Sequence, residues 1–379
     1  MMCRRRLATP RTRYVVGALV AGLLAMPSAA CTGGGTATTE SFTVGLLLPS
    51  RVVPRWEHSD RPLIEQRVKQ LCPHCNVIYG NADDDSTAQR QQMIAMITKG
   101  VRVLILGATD NRAQRSSVQE ARNAGVPVVA YDRLADGPIS GYVSFDGVKV
   151  GTLQGQALLK AMHAAARGGT IVMLNGDPTS PNAASYKRGA LSVLRGRVRI
   201  GRSYDTLGWS TNNANANMSA AISALGPGRI DGVLAANDAM AAGVISALKS
   251  AHVSPLPPVT GQDADLDAVQ RIVSGEQSMT VYKSFRAEAE AAAAMAVALG
   301  RGEKLHAIAT TTTDSPTTRR IPSVLLTPVA VTTADIKQTL VKDGVYTVAQ
   351  ICTPPLRAAC AKAGLTPWTG GERAPHTTW

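Results

Sequence analysis

A repeated alternation of short apolar segments with amphipathic helical patterns is the feature that most constrains the fold. Segments such as 43–48 and 126–131 are apolar along a whole strand length, and a helical pattern follows each of them. Fully apolar strands are typical of a parallel sheet that helices cover on both faces. The alternation starts again near residue 148 and includes expected strands over 259–261 and 324–331. The sequence therefore predicts an α/β protein with two doubly wound parallel-sheet lobes.

The first thirty residues have the pattern of an export signal. A basic stretch over 4–13 precedes an apolar run of 12 residues over 15–26, and small residues follow up to Cys31. Such a run is too short to span a bilayer as a helix. A cysteine directly after small residues predicts a lipoprotein in which Cys31 carries a lipid. That lipid would anchor the chain outside the cytoplasm, on the outer face of the cell membrane. An ordinary secreted protein remains the alternative, and both Sec and twin-arginine export stay open.

The charge balance argues against a nucleic-acid partner. The formal net charge is +13, but five arginines precede residue 31, where there is no acid, so the rest of the chain carries +8. Aromatic residues make up only 4% of the chain. Proteins that bind nucleic acid without base readout use a basic groove with interleaved aromatic rings. This chain has neither feature.

Four cysteines remain after the signal and the lipidation site. An exported chain permits disulfides, and we expect two local bridges, Cys72–Cys75 and Cys352–Cys360, although spacing alone leaves the pairing open. The CPHC motif at 72–75 also matches thiol oxidoreductases, in which the first cysteine caps a helix that follows it. Here a helical pattern precedes the motif instead, so we expect no redox catalysis. The wide gap in the second pair argues against a zinc site, and we expect no metal.

Polar and aromatic side chains follow the predicted strands or lie in the adjoining loops. In an open α/β sheet, ligands bind at the carboxyl ends of the strands. Carboxylates and amides accept hydrogen bonds while Arg and Lys donate them, so the mixture suits a neutral polyol, on whose apolar face an indole can stack. The structural alternative is that Asn237 or Asp265 only caps a helix and that Trp56 lies in the core. The residues concerned are Arg55, Trp56, Asp132, Arg133, Asn182, Trp209, Asn237, Gln262, Asp263, Asp265 and Lys283.

Catalytic motifs do not compete with this interpretation. The sequence contains no HExxH, no GxxxxGK[ST] loop and no GxSxG elbow. A glycosidase would need two separated carboxylates in different environments. Asp263 and Asp265 instead lie in one loop, and Asp132 is adjacent to a counter-charge. We therefore expect no catalytic residues, no cofactor and no enzymatic activity.

Several runs resemble the xylose-binding protein family of ABC sugar importers over about residues 42–350. They are AYDR at 130–133, YVSFD at 142–146, ANDA at 236–239, GQDAD at 261–265, MTVYK at 279–283, RW at 55–56 and LLTP at 325–328. The resemblance implies two similar lobes, three chain crossings between them and a monosaccharide in the cleft. Xylose is the first candidate, and ribose, arabinose, galactose and glucose are alternatives. The implied sugar contacts are Arg55, Arg133, Asn182, Trp209, Asn237, Asp263 and Lys283, with Trp56 as a second stacking ring.

The resemblance also divides the chain and names its partners. The crossings should lie near 145–147, 282–284 and 326–328. The implied partners are a permease with its ATPase, and we expect a monomer. The expected segments are a signal peptide (1–30), a flexible tether (31–41), an N-terminal lobe (42–145 plus 284–325), a C-terminal lobe (146–283 plus 326–350) and an irregular tail (351–379).

Two other functions use the same two-lobed fold. A sugar-sensing transcription factor of the lactose-repressor type would need an N-terminal helix-turn-helix, where this sequence has an export signal. A sugar sensor coupled to a membrane receptor or kinase is the stronger alternative, because nothing in the sequence separates it from an importer subunit.

Overall fold

The computed structural model describes residues 41–365. The predicted signal peptide, the lipidation site Cys31 and nearly all of the predicted tether lie outside the described residues. Within 41–365, the helices lack the combination of length and apolar character that a membrane crossing requires.

The first lobe is built on a seven-stranded sheet, in which β1 is apolar and almost wholly buried, as the sequence predicts. All neighbouring strands are parallel except β10 and β11. The spatial order is β10 (Thr311–Thr313), β11 (Ile321–Leu326), β5 (Gly141–Phe145), β4 (Val128–Tyr131), β3 (Val103–Leu106), β1 (Thr43–Leu48) and β2 (Asn76–Asn81). The helices are α1 (Arg61–Leu71), α2 (Ser86–Thr98), α3 (Arg115–Asn123) and α9 (Phe285–Gly300).

The second lobe repeats the plan with fewer strands. Its parallel sheet has the order β7 (Arg199–Asp205), β6 (Thr170–Asn175), β8 (Gly232–Ala235), and a separate antiparallel pair consists of β9 (Thr280–Tyr282) and β12 (Val329–Val331). The helices are α4 (Gly147–Met162), α5 (Pro181–Leu194), α6 (Thr211–Leu225), α7 (Asp238–Ser250) and α8 (Leu266–Ser274). Helices α4 and α5 pack backbone to backbone, since a Cβ on Gly151 would lie 1.9 Å from the carbonyl oxygen of Tyr186.

The chain passes between the lobes three times. It leaves the first sheet after β5 to enter α4, returns after β9 to enter α9, and leaves again between β11 and β12. The prediction of one strand over 324–331 is therefore wrong: β11 pairs with β5 in the first lobe, whereas β12 pairs with β9 in the second. The proline at 328 lies in this break, where its missing N–H removes a donor from any continuous ladder.

Two further expectations differ from the structure in the second half of the chain. The segment 259–261 makes a single bridge to β8 instead of a strand. The tail predicted to be irregular over 351–379 is ordered in its described part, where α10 (Val348–Ile351) and α11 (Arg357–Lys362) pack with α8 in a small apolar cluster. Apolar residues at helical spacing in so short a segment carry little local signal, and the packing against α8 decides the outcome.

Disulfide bonds join Cys72 to Cys75 and Cys352 to Cys360 in the structure. The first pair follows α1 and precedes β2, so it stands at the carboxyl end of a helix. A thiolate there gains nothing from the helix dipole, whose positive end is at the amino terminus. The second pair closes a short loop between α10 and α11.

Candidate functional site

A cavity of about 280 Å³ lies between the two lobes. The first-lobe wall consists of Val53, Arg55, Trp56, Asp132 and Arg133. The second-lobe wall consists of Asn182, Tyr186, Trp209, Asn237, Gln262 and Asp263. Lys283, from the crossing between β9 and α9, completes the lining. The structure thus brings together all eight of the predicted ligand-binding residues.

Arg55 is the centre of the first-lobe wall and is 2% exposed. Its Nε and Nη2 donate to the two carboxylate oxygens of Asp60, each over 2.8 Å. Nη1 donates to Asp132 over 3.0 Å, and Nη2 also donates to Glu288 over 2.7 Å. Burial by itself lowers the pKa of Arg55, but these carboxylates outweigh it and raise the pKa well above its usual value. A buried guanidinium is tolerated here because the carboxylates of Asp60, Asp132 and Glu288 compensate its charge.

Aromatic rings enclose the same guanidinium. Its central carbon lies 4.4 Å from the ring centroid of Trp56 and 4.1 Å from that of Phe285. The Trp56 ring meets Tyr131 edge to face at 6.4 Å, and the Tyr131 hydroxyl donates to Asp60. Cation–π contacts of this kind strengthen when water is excluded. Trp56 is therefore held as part of the wall, with only 2% of its surface exposed.

Contacts between opposite charges and dipoles link the two walls. Asn182 Nδ2 donates to Asp132 Oδ1 over 2.7 Å, and Arg55 Nη1 lies 3.7 Å from Asp263 Oδ1. Lys283 Nζ lies 3.1 Å from Asp263 Oδ1 and 3.9 Å from Asp132 Oδ2. Each of these contacts joins a donor to an acceptor that a small polar ligand could also use.

Ionisation in the cavity follows from these pairings. Burial raises the pKa of Asp132, but Lys283 and Arg55 outweigh it, so the pKa is below its usual value. Burial lowers the pKa of Lys283, but Asp132 and Asp263 outweigh it and raise that pKa. Asp132 and Lys283 are thus held in their charged forms. A general acid needs a pKa near the working pH, so this pair is suited to recognition and not to proton transfer.

Arg133 differs from Arg55 in its surroundings. Its Nη1 donates to the carbonyl oxygen of Ala108 over 3.3 Å, and its guanidinium carbon lies 5.5 Å from the Trp56 ring centroid. Burial lowers its pKa, against the attraction of Asp132 and Asp84. A buried guanidinium with five donors has capacity for further acceptors in the cavity.

The second-lobe wall is built from helix starts and tight turns. Asn237 caps α7, where its side chain accepts from the Met240 amide over 3.0 Å. The Trp209 indole meets Tyr186 edge to face at 6.1 Å. Gly176 makes room for this indole, because a Cβ there would lie 2.0 Å from the ring.

The predicted ligand-binding set is incomplete. Tyr186 and Gln262 line the cavity, and so does Asp132, which the strand-end rule includes but the resemblance does not assign. Gln262, which lies inside the GQDAD run, is likewise among the residues that the strand-end rule includes and the resemblance does not assign. Asp60 and Glu288 lie behind Arg55 and are fully buried. Glu288 could have been noticed as an acid among the apolar residues of α9.

Metal binding finds no support in residues 41–365, where no three His, Cys, Asp or Glu side chains are arranged to hold an ion. The cavity instead offers three cations, two carboxylates and three amides around two indoles. Such a set can hold a small neutral molecule with many hydroxyls, since each hydroxyl both donates and accepts.

Residues 44–304 match the family described as periplasmic binding protein domain. The D-xylose-binding periplasmic protein of Escherichia coli K12 is 32% identical over 82% of this chain and 92% of its own length. The chain belongs to the periplasmic binding protein family. This periplasmic binding protein is also 31% identical to the multiple sugar-binding periplasmic receptor ChvE of Rhizobium radiobacter, over 82% of this chain and 92% of that protein. The resemblance seen in the sequence is confirmed.

The predicted fold of this periplasmic binding protein is confirmed by a solved relative. An ABC transporter solute binding protein from Clostridium phytofermentans, crystallised with bound β-D-glucose, matches it with a TM-score of 0.75 at 29% identity. The match covers 82% of this chain and 99% of that one. These relatives are binding proteins, so this member of the family is a binding protein and not an enzyme.

Proposed function

We propose that this chain binds a monosaccharide, with D-xylose as the first candidate, and delivers it to the permease and ATPase of an ABC importer. The observation that carries the proposal is the buried cavity to which both lobes contribute donors, acceptors and an indole. The names of the relatives support a sugar, since one is described as binding D-xylose and another holds β-D-glucose.

The proposed sugar contacts use each residue type for a separate task. Arg55, Arg133 and Lys283 donate to hydroxyl oxygens, and Asp263 accepts from hydroxyl hydrogens. Asn182 and Asn237 can do both, and the indoles of Trp56 and Trp209 face the apolar side of the ring. Micromolar affinity corresponds to about 8 kcal/mol, which a few such charge-assisted bonds can supply after the costs of ordering.

The test of the proposal is a panel of monosaccharides. Thermal shift and calorimetry would compare D-xylose with D-glucose, ribose, arabinose and galactose on the same purified protein. We expect D-xylose to give the largest stabilisation, because a ligand that binds only the folded state raises its melting temperature. A larger response to glucose would reassign the sugar. No response to any monosaccharide would refute sugar binding.

Closure of the lobes is part of the proposal. We place the hinge at the crossings near 145–147, 282–284 and 326–328, between lobes of 42–145 plus 284–325 and 146–283 plus 326–350. A ligand that contacts both walls favours the closed arrangement by its additional contacts there. Small-angle scattering should show the protein becoming more compact when the sugar is added. An unchanged radius of gyration would contradict the hinge.

We also propose that the mature protein is a monomer held to the outer face of the cell membrane by a lipid on Cys31. The support is the sequence SAAC at 28–31, after an apolar run of signal length. Changing Cys31→Ser should release the protein from the membrane fraction or stop its processing. Unchanged membrane retention would contradict the anchor. Light scattering on the purified protein tests the monomer.

A second role as a sugar sensor is favoured by one relative, which is described as a receptor. The two roles predict different phenotypes for a strain that lacks this gene. Loss of an importer subunit should abolish uptake of the bound radiolabelled sugar. Loss of a sensor alone should leave uptake intact and remove only the cellular response to that sugar.

A further inference from the structure

Two consecutive residues, Asp263 in the second-lobe wall and its neighbour Ala264, adopt a left-handed backbone without being glycine. Asp263 has φ of 102° and Ala264 has φ of 57°. Such conformations are costly for L-residues and persist only where the surrounding structure holds them in place. The segment matters for the site, because Asp263 presents its carboxylate to Lys283 over 3.1 Å.

Three backbone amides of this segment, which we call the Asp263 loop (263–265), are held by the lobe itself. The Asp263 amide donates to the Val281 carbonyl oxygen on β9 over 3.0 Å, and the Ala264 amide donates to the Thr280 hydroxyl over 3.1 Å. The Asp265 amide donates to a carboxylate oxygen of Asp238, at the start of α7, over 3.0 Å.

A further contact comes from a distant part of the chain. The Tyr346 hydroxyl donates to the Ala264 carbonyl oxygen over 3.0 Å. Tyr346 belongs to the C-terminal extension (343–365), which follows the last strand, β12. The extension therefore reaches back to the turn that carries a ligand-facing carboxylate.

The extension itself is anchored to the second lobe. Its Ile351, Cys360 and Leu365 are buried in the same apolar cluster as Ala264. The side-chain amide of Gln270 on α8 donates to the Gln350 carbonyl oxygen over 3.0 Å. The Cys352–Cys360 disulfide closes the part of the extension that forms this cluster.

We infer that the C-terminal extension is a brace that holds the Asp263 loop in its ligand-binding shape. Tyr346 is the positioning residue, and the Cys352–Cys360 disulfide keeps the extension in the shape that lets Tyr346 reach the loop. The effect on ligand affinity rests on the proposed function, whereas the effect on the loop does not. The brace makes affinity depend on a disulfide that lies outside the cavity.

Hydrogen exchange on the unliganded protein tests the brace without any sugar. The amides of Asp263, Ala264 and Asp265 are themselves hydrogen-bonded in the loop, so they report its opening. In Tyr346→Phe we expect exchange in a peptide over 261–266 to be about 3- to 10-fold faster, because one bond that holds the loop is lost. The matched control is Tyr204→Phe on β7, at the opposite edge of the sheet, which should leave that peptide unchanged. Equal exchange in wild type and Tyr346→Phe would overturn the inference.

Affinity for D-xylose, measured by calorimetry, tests the consequence for the site. We expect Tyr346→Phe and the Cys352→Ser/Cys360→Ser pair each to weaken binding about 3- to 10-fold. The Cys72→Ser/Cys75→Ser pair removes a disulfide of the first lobe and should change affinity less than about twofold. Urea unfolding of the same samples separates positioning from general destabilisation, which lowers stability without moving affinity.

The affinity experiment and the hydrogen-exchange experiment can contradict the inference separately. Equal affinities in both disulfide variants, or faster exchange with unchanged affinity, would overturn the role of the brace in binding. If the wild type binds no D-xylose, the proposed sugar fails, and the exchange measurement still decides whether the extension holds the loop.

Discussion

The two walls of the cavity are built in different ways. In the first-lobe wall, Arg55 donates four hydrogen bonds to carboxylates of its own lobe, which leaves one N–H for a ligand. The Trp56 indole N–H has no hydrogen-bond partner among the described residues. In the second-lobe wall, the Trp209 indole N–H and the Gln262 Oε1 have no such partner within 41–365. Buried polar atoms without partners are costly. The comparison indicates that the Arg55 network of the first-lobe wall serves folding, while Trp209 and Gln262 of the second-lobe wall, like Trp56 and Arg133, keep polar atoms for a ligand.

The largest expected effect is on stability and comes from the first-lobe wall. Changing Arg55→Met leaves Asp60 and Glu288 buried without their counter-charge. Breaking a buried ion pair in this way costs about 3–5 kcal/mol. Urea unfolding of the unliganded protein measures this loss of unfolding free energy. The exposed Arg90→Met on α2 is the control, and its unfolding free energy should stay within about 0.5 kcal/mol of the wild type. A loss below about 1 kcal/mol for Arg55→Met would contradict the stabilising role of this network.

The next effect is on binding and comes from the second-lobe wall. Asp263→Ala removes an acceptor and leaves the nearby Lys283 with Asp132 alone, so sugar affinity should fall at least about tenfold, or about 1.4 kcal/mol. Stability of the unliganded protein should change far less than in Arg55→Met. Calorimetry and urea unfolding measure both, and the exposed Asp267→Ala on α8 is the control. Normal binding by Asp263→Ala would refute the site assignment. A loss of stability as large as that of Arg55→Met would contradict the difference between the two walls.

A smaller effect should follow from displacing the Trp209 ring without removing any polar group. Gly176→Ala places a methyl group 2.0 Å from the indole, which must shift. Overpacking of this kind costs about 1–3 kcal/mol of folding stability. We expect the displaced ring also to weaken sugar affinity, by about fivefold or about 1 kcal/mol of binding free energy. Gly228→Ala, whose Cβ would meet no atom within 4 Å, is the matched control. Unchanged affinity in Gly176→Ala would show that the second-lobe wall tolerates a moved ring.

The smallest expected effect comes from a disulfide that lies outside both walls of the cavity. The Cys72–Cys75 disulfide lies between α1 and β2, and neither cysteine lines the cavity. Changing both to Ser should alter sugar affinity by less than about twofold, and the wild type should reduce no insulin. Insulin reductase activity that disappears in this variant would show that the motif is catalytic after all.

Local patterns in the sequence were sufficient for the fold class. Apolar strands such as β1 and β4 and the amphipathic helices between them specify a covered parallel sheet wherever they occur. The same patterns were insufficient at 324–331, where an apolar run supplies two strands to two lobes. Partner choice depends on which edge strand is nearby, and a single run of residues does not contain that information.

The residues of the candidate site also fall into those that local sequence patterns predict and those that only packing brings to the cavity. Arg133 and Asn237 could be found from sequence because they follow β4 and β8, and parallel strands end at a common edge. Asp263 and Lys283 were found by the same pattern, although the structure gives the segments before them a single bridge and an antiparallel pair. Tyr186 follows no strand, since it lies within α5, and only the packing of α5 brings it to the cavity. Asp60 and Glu288 are 228 residues apart in sequence and meet only through Arg55.

The sequence by itself therefore determined the two-lobed α/β plan, the membership of its family and a set of residues gathered at the strand ends. These properties follow from short-range periodicity and from where polar residues interrupt it. The tertiary structure alone decided how Arg55 is neutralised, which polar atoms stay without partners, and that the C-terminal extension contacts the Asp263 loop. Those properties depend on distances between residues far apart in the chain, and such distances exist only once the lobes are packed.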